Sequence, residues 1–145
     1  MDIIDNNIRV YLRRIGQRTK SLMDERLLPH NITSQQARIV GFINAEQEQG
    51  KVVCQKDIEK AFELKGSSIT SLLQGLERKG FIVRHLDPSD ERRKCVALLP
   101  KGLELVREFA AAFHELDEKM VRDLTLEQLE TLAQALKLMA HNLEQ

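Results

Sequence analysis

Two clusters in the middle of the chain carry groups able to recognise a polyanion. Ser67, Ser68, Thr70, Ser71 and Gln74 fall at the start and on the outer face of one predicted helix. Short hydroxyls donate to phosphate oxygens or base edges, and Gln pairs with adenine. Amides at a helix N-terminus add affinity for anions. Further on, Asp87-Pro88-Ser89-Asp90-Glu91-Arg92-Arg93 reads as a hairpin tip. Arg92 follows Asp90 by two residues, so the carboxylate can hold its guanidinium across the loop. A fixed arginine suits the narrow, strongly negative minor groove of duplex DNA. Arg93 and Lys94 are candidate phosphate contacts, as is Lys56 near the start of an earlier helix. Arg84 is expected to brace the hairpin by pairing with Asp87. The bland alternative for each of these residues is helix capping or a solvated charge.

Other reactive residue types are sparse. Cys54 stands at a predicted helix start, where a thiol is activated toward oxidation or serves as a substitute N-cap. Cys95 reads as core packing, and neither cysteine has an evident partner to resolve it. His30, His85, His114 and His141 are scattered, with no His-x-x-x-His pair or Cys/His cluster, so no metal is expected. The chain has no Gly-rich phosphate loop and no paired-carboxylate signature, and scattered Ser, His and Asp do not make a triad. An enzyme is not expected, nor is a cofactor. Tyr11, Phe42, Phe109 and Phe113 are candidates to line a small-molecule pocket, or else plain core at helical spacing.

The elements that must position these groups follow from periodicity. Ile8, Tyr11, Leu12, Ile15, Leu22, Met23 and Leu27 mark an amphipathic helix over 5–28, ended by Pro29. Thr33-Ser34-Gln35-Gln36 is a capping box opening a second helix, with Ala37, Val40, Phe42 and Ile43 inward. After a short extended piece at 51–53, a helix from Cys54 to about Phe62 turns Ile58 and Ala61 inward. A longer helix over 67–79 buries Ile69, Leu72, Leu73 and Leu76, and Gly80 then fits a left-handed helix stop. Short β-prone runs at 81–84 and 95–98 flank the charged loop. Pro100 fits the first turn of a helix over 101–123, with Leu103, Val106, Phe109, Phe113, Leu116 and Met120 on one stripe. A second capping box, Thr125-Leu126-Glu127-Gln128, opens the last helix, whose apolar face carries Leu129, Leu132, Leu136 and Leu143.

A short helix, a longer helix and an arginine-tipped hairpin are the plan of a winged helix-turn-helix. That plan lays one helix in a major groove and the hairpin tip beside or in a minor groove. Charge follows the motif. The chain has 22 basic and 22 acidic residues, yet 51–102 holds 11 against 7 and 103–145 holds 4 against 9. No apolar run is long enough to cross a membrane. Asp2 and Asp5 in place of a basic leader argue against a secretory signal, so a reduced, cytoplasmic setting is expected. The long amphipathic helices at both ends expose more apolar surface than one small core can cover, and a second copy is the simplest cover.

These residues resemble the MarR family of bacterial transcription regulators. The resemblance is carried by Gly66-Ser67-Ser68-Ile69-Thr70-Ser71-Leu72-Leu73, Leu76-Glu77-Arg78-Lys79-Gly80-Phe81-Ile82, Asp87 to Lys94, and Leu98-Leu99-Pro100-Lys101-Gly102. It implies a mainly α fold with a small β-hairpin wing. A winged helix-turn-helix core over 33–100 would be flanked by dimerisation helices over 1–30 and 101–145, in a single domain. It implies a homodimer acting on a pseudo-palindromic operator as a repressor, released by a small aromatic or lipophilic effector or by oxidation of a thiol. Leu99-Pro100 replaces the usual Leu-Thr, Ser71 and Gly75 stand where basic residues are common, and Cys54 replaces a capping Ser or Thr. Two alternatives stay open: a winged-helix adapter for protein contacts, and a regulator that senses thiol oxidation through Cys54.

Overall fold

The computed structural model describes residues 7–145. The expected start of the first helix at residues 5–6, and Asp2 and Asp5, lie outside them. The chain divides into two compact units, one ending at Ala112 and the other Phe113–Gln145.

The first unit opens with α1 (Arg9–Leu27). Leu28–His30 form one 3-10 turn with Pro29 inside it, and Asn31 takes a left-handed conformation (φ 52°) that ends the element. In α2 (Ser34–Glu48) both halves of the capping box form: the Gln36 amide donates to Thr33 Oγ1 at 3.1 Å, and the Thr33 amide to Gln36 Oε1 at 3.2 Å. Next come β1 (Val53–Cys54), α3 (Gln55–Phe62) and α4 (Gly66–Arg78). Gly80, at φ 83°, stops α4. The Phe81 amide reaches Leu76 O at 3.0 Å and the Gly80 amide reaches Glu77 O at 3.0 Å, the two bonds of a Schellman stop.

The sheet has three antiparallel strands in the order β1-β3-β2, where β2 is Ile82–Asp87 and β3 is Asp90–Leu98. The extended piece before Cys54 is therefore a third strand, in register Val53↔Val96 and Cys54↔Cys95. The hairpin is also longer than its β-prone runs. Lys94 pairs with Leu86 and Asp90 with Asp87 across an irregularity in the register, and the largely exposed side chains of 90–94 lack a buried alternation, so they do not read as strand.

The core collects Ile39, Val40, Ile43, Ile58, Ile69, Leu73, Leu76, Phe81, Ile82, Val96 and Leu105. Each such side chain contributes roughly 1.5–3 kcal/mol relative to exposure. Three sequence expectations shift. Ala61 is exposed, and Phe62 turns toward the core instead. Ile39 is fully buried although the expected inward set omitted it. On α5 (Pro100–Val121) Leu105 is buried where Leu103 was expected. Gly102 explains the rotation: a Cβ there would lie 2.5 Å from Phe81 O, so this turn of α5 seats its backbone against the end of α4.

The second unit holds the end of α5 and α6 (Leu126–Leu143), opened by the Thr125–Gln128 capping box. No residue of α6 is buried, and Leu126, Leu132, Leu136, Leu138 and Leu143 are exposed. Tyr11, Leu12 and Ile15 of α1 are exposed as well. Among the described residues, no helix is long and apolar enough to cross a membrane.

Candidate nucleic-acid interface

The outer face of α4 is built by subtraction. Ile69, Leu73 and Leu76 point inward, which leaves Ser67, Ser71, Gln74 and Arg78 as one exposed stripe at helical spacing, with Ser68 beside it. Arg78 is the member that the sequence reading left out, and its spacing from Gln74 was the available signal. Thr70 differs from its neighbours. It is half-buried, donates to Gly66 O at 2.8 Å and accepts from Gln55 Nε2 at 2.8 Å. Its only hydroxyl hydrogen is therefore already used, and it ties the start of α3 to α4. Gln55 Oε1 is buried without a partner.

Gly75 faces α2. A Cβ at this position would meet Gln36 Nε2 at 2.6 Å. The buried Gln36 side chain also reaches Leu72 O at 3.4 Å and accepts from Lys79 Nζ at 3.2 Å. One glutamine thus caps α2 and joins it to the middle of α4 and to Lys79 just past its C-terminal end. A basic side chain at Gly75 would not fit without moving it.

Glu77 couples α4 to the wing. Its carboxylate accepts the Arg84 amide at 3.1 Å and the Arg84 guanidinium at 3.2 and 3.0 Å. These bonds hold the Glu77 carboxyl below the usual glutamate range. The expected Arg84–Asp87 pair is corrected: residues three apart on a strand point to opposite faces. Asp87 instead accepts the Ser89 amide at 2.9 Å and hydroxyl at 2.7 Å, and the Arg93 guanidinium at 3.1 Å. Its carboxyl is pulled below the usual aspartate range, mainly by Ser89.

The two wing arginines are held differently. Arg92 is 96% exposed, and its backbone amide donates to Asp90 Oδ1 at 3.0 Å while the guanidinium stays 3.8 Å away. Arg93 is clamped, with one nitrogen on Asp87 and another 2.9 Å from Cys54 Sγ. Lys94 and Lys56 are exposed.

The cysteines lie closer than expected. Cys54 and Cys95 are buried with their sulfurs 3.0 Å apart, which overturns the reading that neither has a partner. Burial pushes the Cys95 thiol up to about 11. Cys54 caps α3 through its backbone, its amide donating to Asp57 Oδ2 at 2.8 Å.

The four aromatic candidates occupy different settings. Phe42 packs edge-on against Phe62 at 5.7 Å, and Phe109 is half-buried against the same core. Tyr11 is exposed, with the Arg14 guanidinium 5.6 Å from its ring centroid. It borders an open groove of about 540 Å³ together with Arg14, Ile15, Gln17, Arg18 and Ser21. Phe113, in the second unit, is half exposed. Histidines pair with carboxylates at His30–Glu108 (2.9 Å) and His114–Glu118 (3.1 Å). No group of three or more metal-ligating side chains occurs among the described residues.

A sequence profile described as MarR family matches residues 30–93. The chain is similar to the crystal structure of a Staphylococcus aureus MepR–DNA complex, at 32% identity over 94% of this chain and 99% of that one, with a TM-score of 0.74. It is also similar to MepR described as a transcription regulator of the S. aureus multidrug efflux pump MepA, at 31% identity over 94% and 98% of the two chains, with a TM-score of 0.79. S. aureus MepR in a DNA-binding conformation matches at 34% identity over 94% and 98%, with a TM-score of 0.72.

Proposed function

The chain belongs to the MarR family of winged-helix regulators, and from this we propose that it binds duplex DNA as a homodimeric transcription regulator. The observation that carries the reading is the exposed Ser67–Ser71–Gln74–Arg78 stripe, braced to an arginine-tipped wing through Glu77 and Arg84. MepR, 32% identical to this chain, has been crystallised with DNA.

In this reading α4 enters a major groove. Ser67, Ser68, Ser71 and Gln74 meet phosphates and base edges, and Arg78 meets the backbone. Thr70, its hydrogen committed to Gly66, positions the helix rather than donating to DNA. Arg92 inserts at the minor groove, with Lys94, Lys56 and part of Arg93 near phosphates. The Glu77–Arg84 bonds transmit position, so helix and wing approach DNA as one piece.

Dimerisation supplies the second reading helix and covers the apolar residues exposed on α1 and α6. The protomers then address half-sites about 34–36 Å apart in a pseudo-palindromic operator. We assign it repression in the cytoplasm and release by an aromatic or lipophilic effector that prefers a wrongly spaced dimer. Tyr11, Phe109 and Phe113 are the aromatics to test for effector contact, and Phe42 is the weakest because it packs on Phe62. A tenfold loss of DNA affinity needs about 1.4 kcal/mol of differential binding.

The test is a screen of random-sequence duplex pools with purified protein, followed by sizing of the complex. Recovery of an inverted repeat bound by two chains supports the reading. If no duplex is enriched, the protein-adapter alternative becomes the better account.

A further inference from the structure

Among the described residues, Gln36 is the polar side chain that folding buries, at 5% exposure, and it lies where α2 meets α4. Its hydrogen bonds fix which way the amide points. Oε1 accepts from the Thr33 amide at 3.2 Å and from Lys79 Nζ at 3.2 Å, which uses both lone pairs. Nε2 donates to Leu72 O at 3.4 Å. A flipped amide would set donor against donor at Thr33 and Lys79, and oxygen against oxygen at Leu72. Because the group is buried, any orientation that breaks these bonds leaves polar atoms unsatisfied.

The amide nitrogen also fills the space that a side chain at residue 75 would need. A Cβ on Gly75 would stand 2.6 Å from Gln36 Nε2 and 4.0 Å from Arg78 Nη2. The end of a free glutamine would swing aside. This one is held at three points, so either those bonds break or α4 moves off α2. Gly75 lies inside α4, where glycine is a poorer helix former than alanine. Its missing side chain therefore suits Gln36 and not the helix.

The part of α4 seated in this way carries exposed groups of the outer stripe. Gln74 precedes Gly75, and Arg78 follows three residues later. The first turn of α5 holds the same end of the helix: Lys101 Nζ donates to Lys79 O at 2.7 Å and stands 4.5 Å from the Phe81 ring centroid. Lys79 is thus held by its side chain to α2 and by its carbonyl to α5.

We propose that Gln36 is a positioning residue for sequence reading: seated against Gly75, it sets how closely the Gln74–Arg78 turn approaches the duplex, and so how well an operator is told from other DNA. The inference rests on the DNA-binding reading above, in which Gln36 itself touches no nucleic acid. A hydrogen bond to a base edge weakens steeply when its geometry shifts. Phosphate contacts carry no sequence information, so a displaced α4 loses discrimination before it loses general affinity.

Two variants break the fit from opposite sides. Gly75→Ala adds the Cβ. Gln36→Glu keeps an oxygen for Thr33 and Lys79 and keeps the capping box, but sets oxygen against oxygen at Leu72. Anisotropy is read on a duplex selected from random pools and on random duplex, with urea midpoints beside them. Each variant should bind the selected duplex about fivefold more weakly and random duplex as the native chain does. An unfolded fraction lowers both affinities by one factor, so a fall in their ratio reports position and not stability. Gln36→Ala should lose a similar factor. The Gln36→Ala, Gly75→Ala double variant should again lose about fivefold, against roughly 25-fold for independent sites, because both changes break one contact. An unchanged ratio in either Gly75→Ala or Gln36→Glu overturns the proposal, as does a multiplied loss in the double variant. If the native chain prefers no duplex over random DNA, the DNA reading fails and this inference falls with it.

Discussion

The base of the wing and its tip are built on opposite terms. At the base, Glu77 holds Arg84, Phe81 closes the α4 stop, and the Gly102 turn seats against Phe81 O. At the tip, Arg92 is 96% exposed and its guanidinium stands 3.8 Å from Asp90. The base orients the wing relative to α4, and the tip keeps a charged side chain available to a partner. Arg93 lies between these extremes, clamped by Asp87 and Cys54. A substitution at the base should therefore reduce stability and DNA affinity together, and one at the tip should reduce affinity alone.

The largest effect is expected at the base. Leu76→Ala removes a fully buried side chain from the α4 core and should cost about 2–5 kcal/mol, read as a lower urea midpoint. An unchanged midpoint would mean that α4 is not held by this packing. Gly102→Ala pushes a Cβ against Phe81 O and should cost roughly 1–3 kcal/mol in the same assay.

At the tip, Arg92→Ala should leave the urea midpoint unchanged and weaken operator binding about tenfold, with the salt slope falling by about one. Unchanged affinity would remove the tip from the mechanism. Glu77→Gln lies between the two classes. It loosens the coupling of helix to wing, so DNA affinity should drop about threefold with a small fall in stability. Equal affinity in the variant would show that α4 and wing act independently.

The smallest effect is on pH dependence. Glu77 and Asp87 are both depressed, so each contribution is complete above the ordinary carboxylate range. Each is lost as pH falls through the lower folded value. Urea midpoints measured down an acid series should fall more steeply for the native chain than for a Glu77→Gln, Asp87→Asn variant. Parallel curves would mean that these pairs do not stabilise the fold.

Local chemistry was readable in the residues. Both capping boxes, the Gly80 stop and the β-prone flanks of the wing depend on neighbours within a few positions. What escaped depends on contacts between distant segments. Val53 and Cys54 become strand only because β3 passes beside them, and only that pairing brings Cys54 to Cys95. Glu77 reaches Arg84 because the α4 stop folds the chain back on itself. Strand alternation would have excluded the Arg84–Asp87 pair, had β2 been read to its full length. On the interface, the hydroxyl set was legible by type, and the bond that commits the Thr70 hydrogen runs only four residues back to Gly66, whereas its contact with Gln55, an element away, was not legible.

In the proposed function, α4 and the wing read duplex DNA as a unit. Fluorescence anisotropy on duplex from the region upstream of the protein's own gene, with random duplex beside it and a salt titration, tests it most directly. Nanomolar binding by a dimer, far tighter than to random duplex and falling steeply with salt, is the predicted result. Weak binding that is equal on both duplexes, and equal again on duplexes selected from random pools, would contradict it.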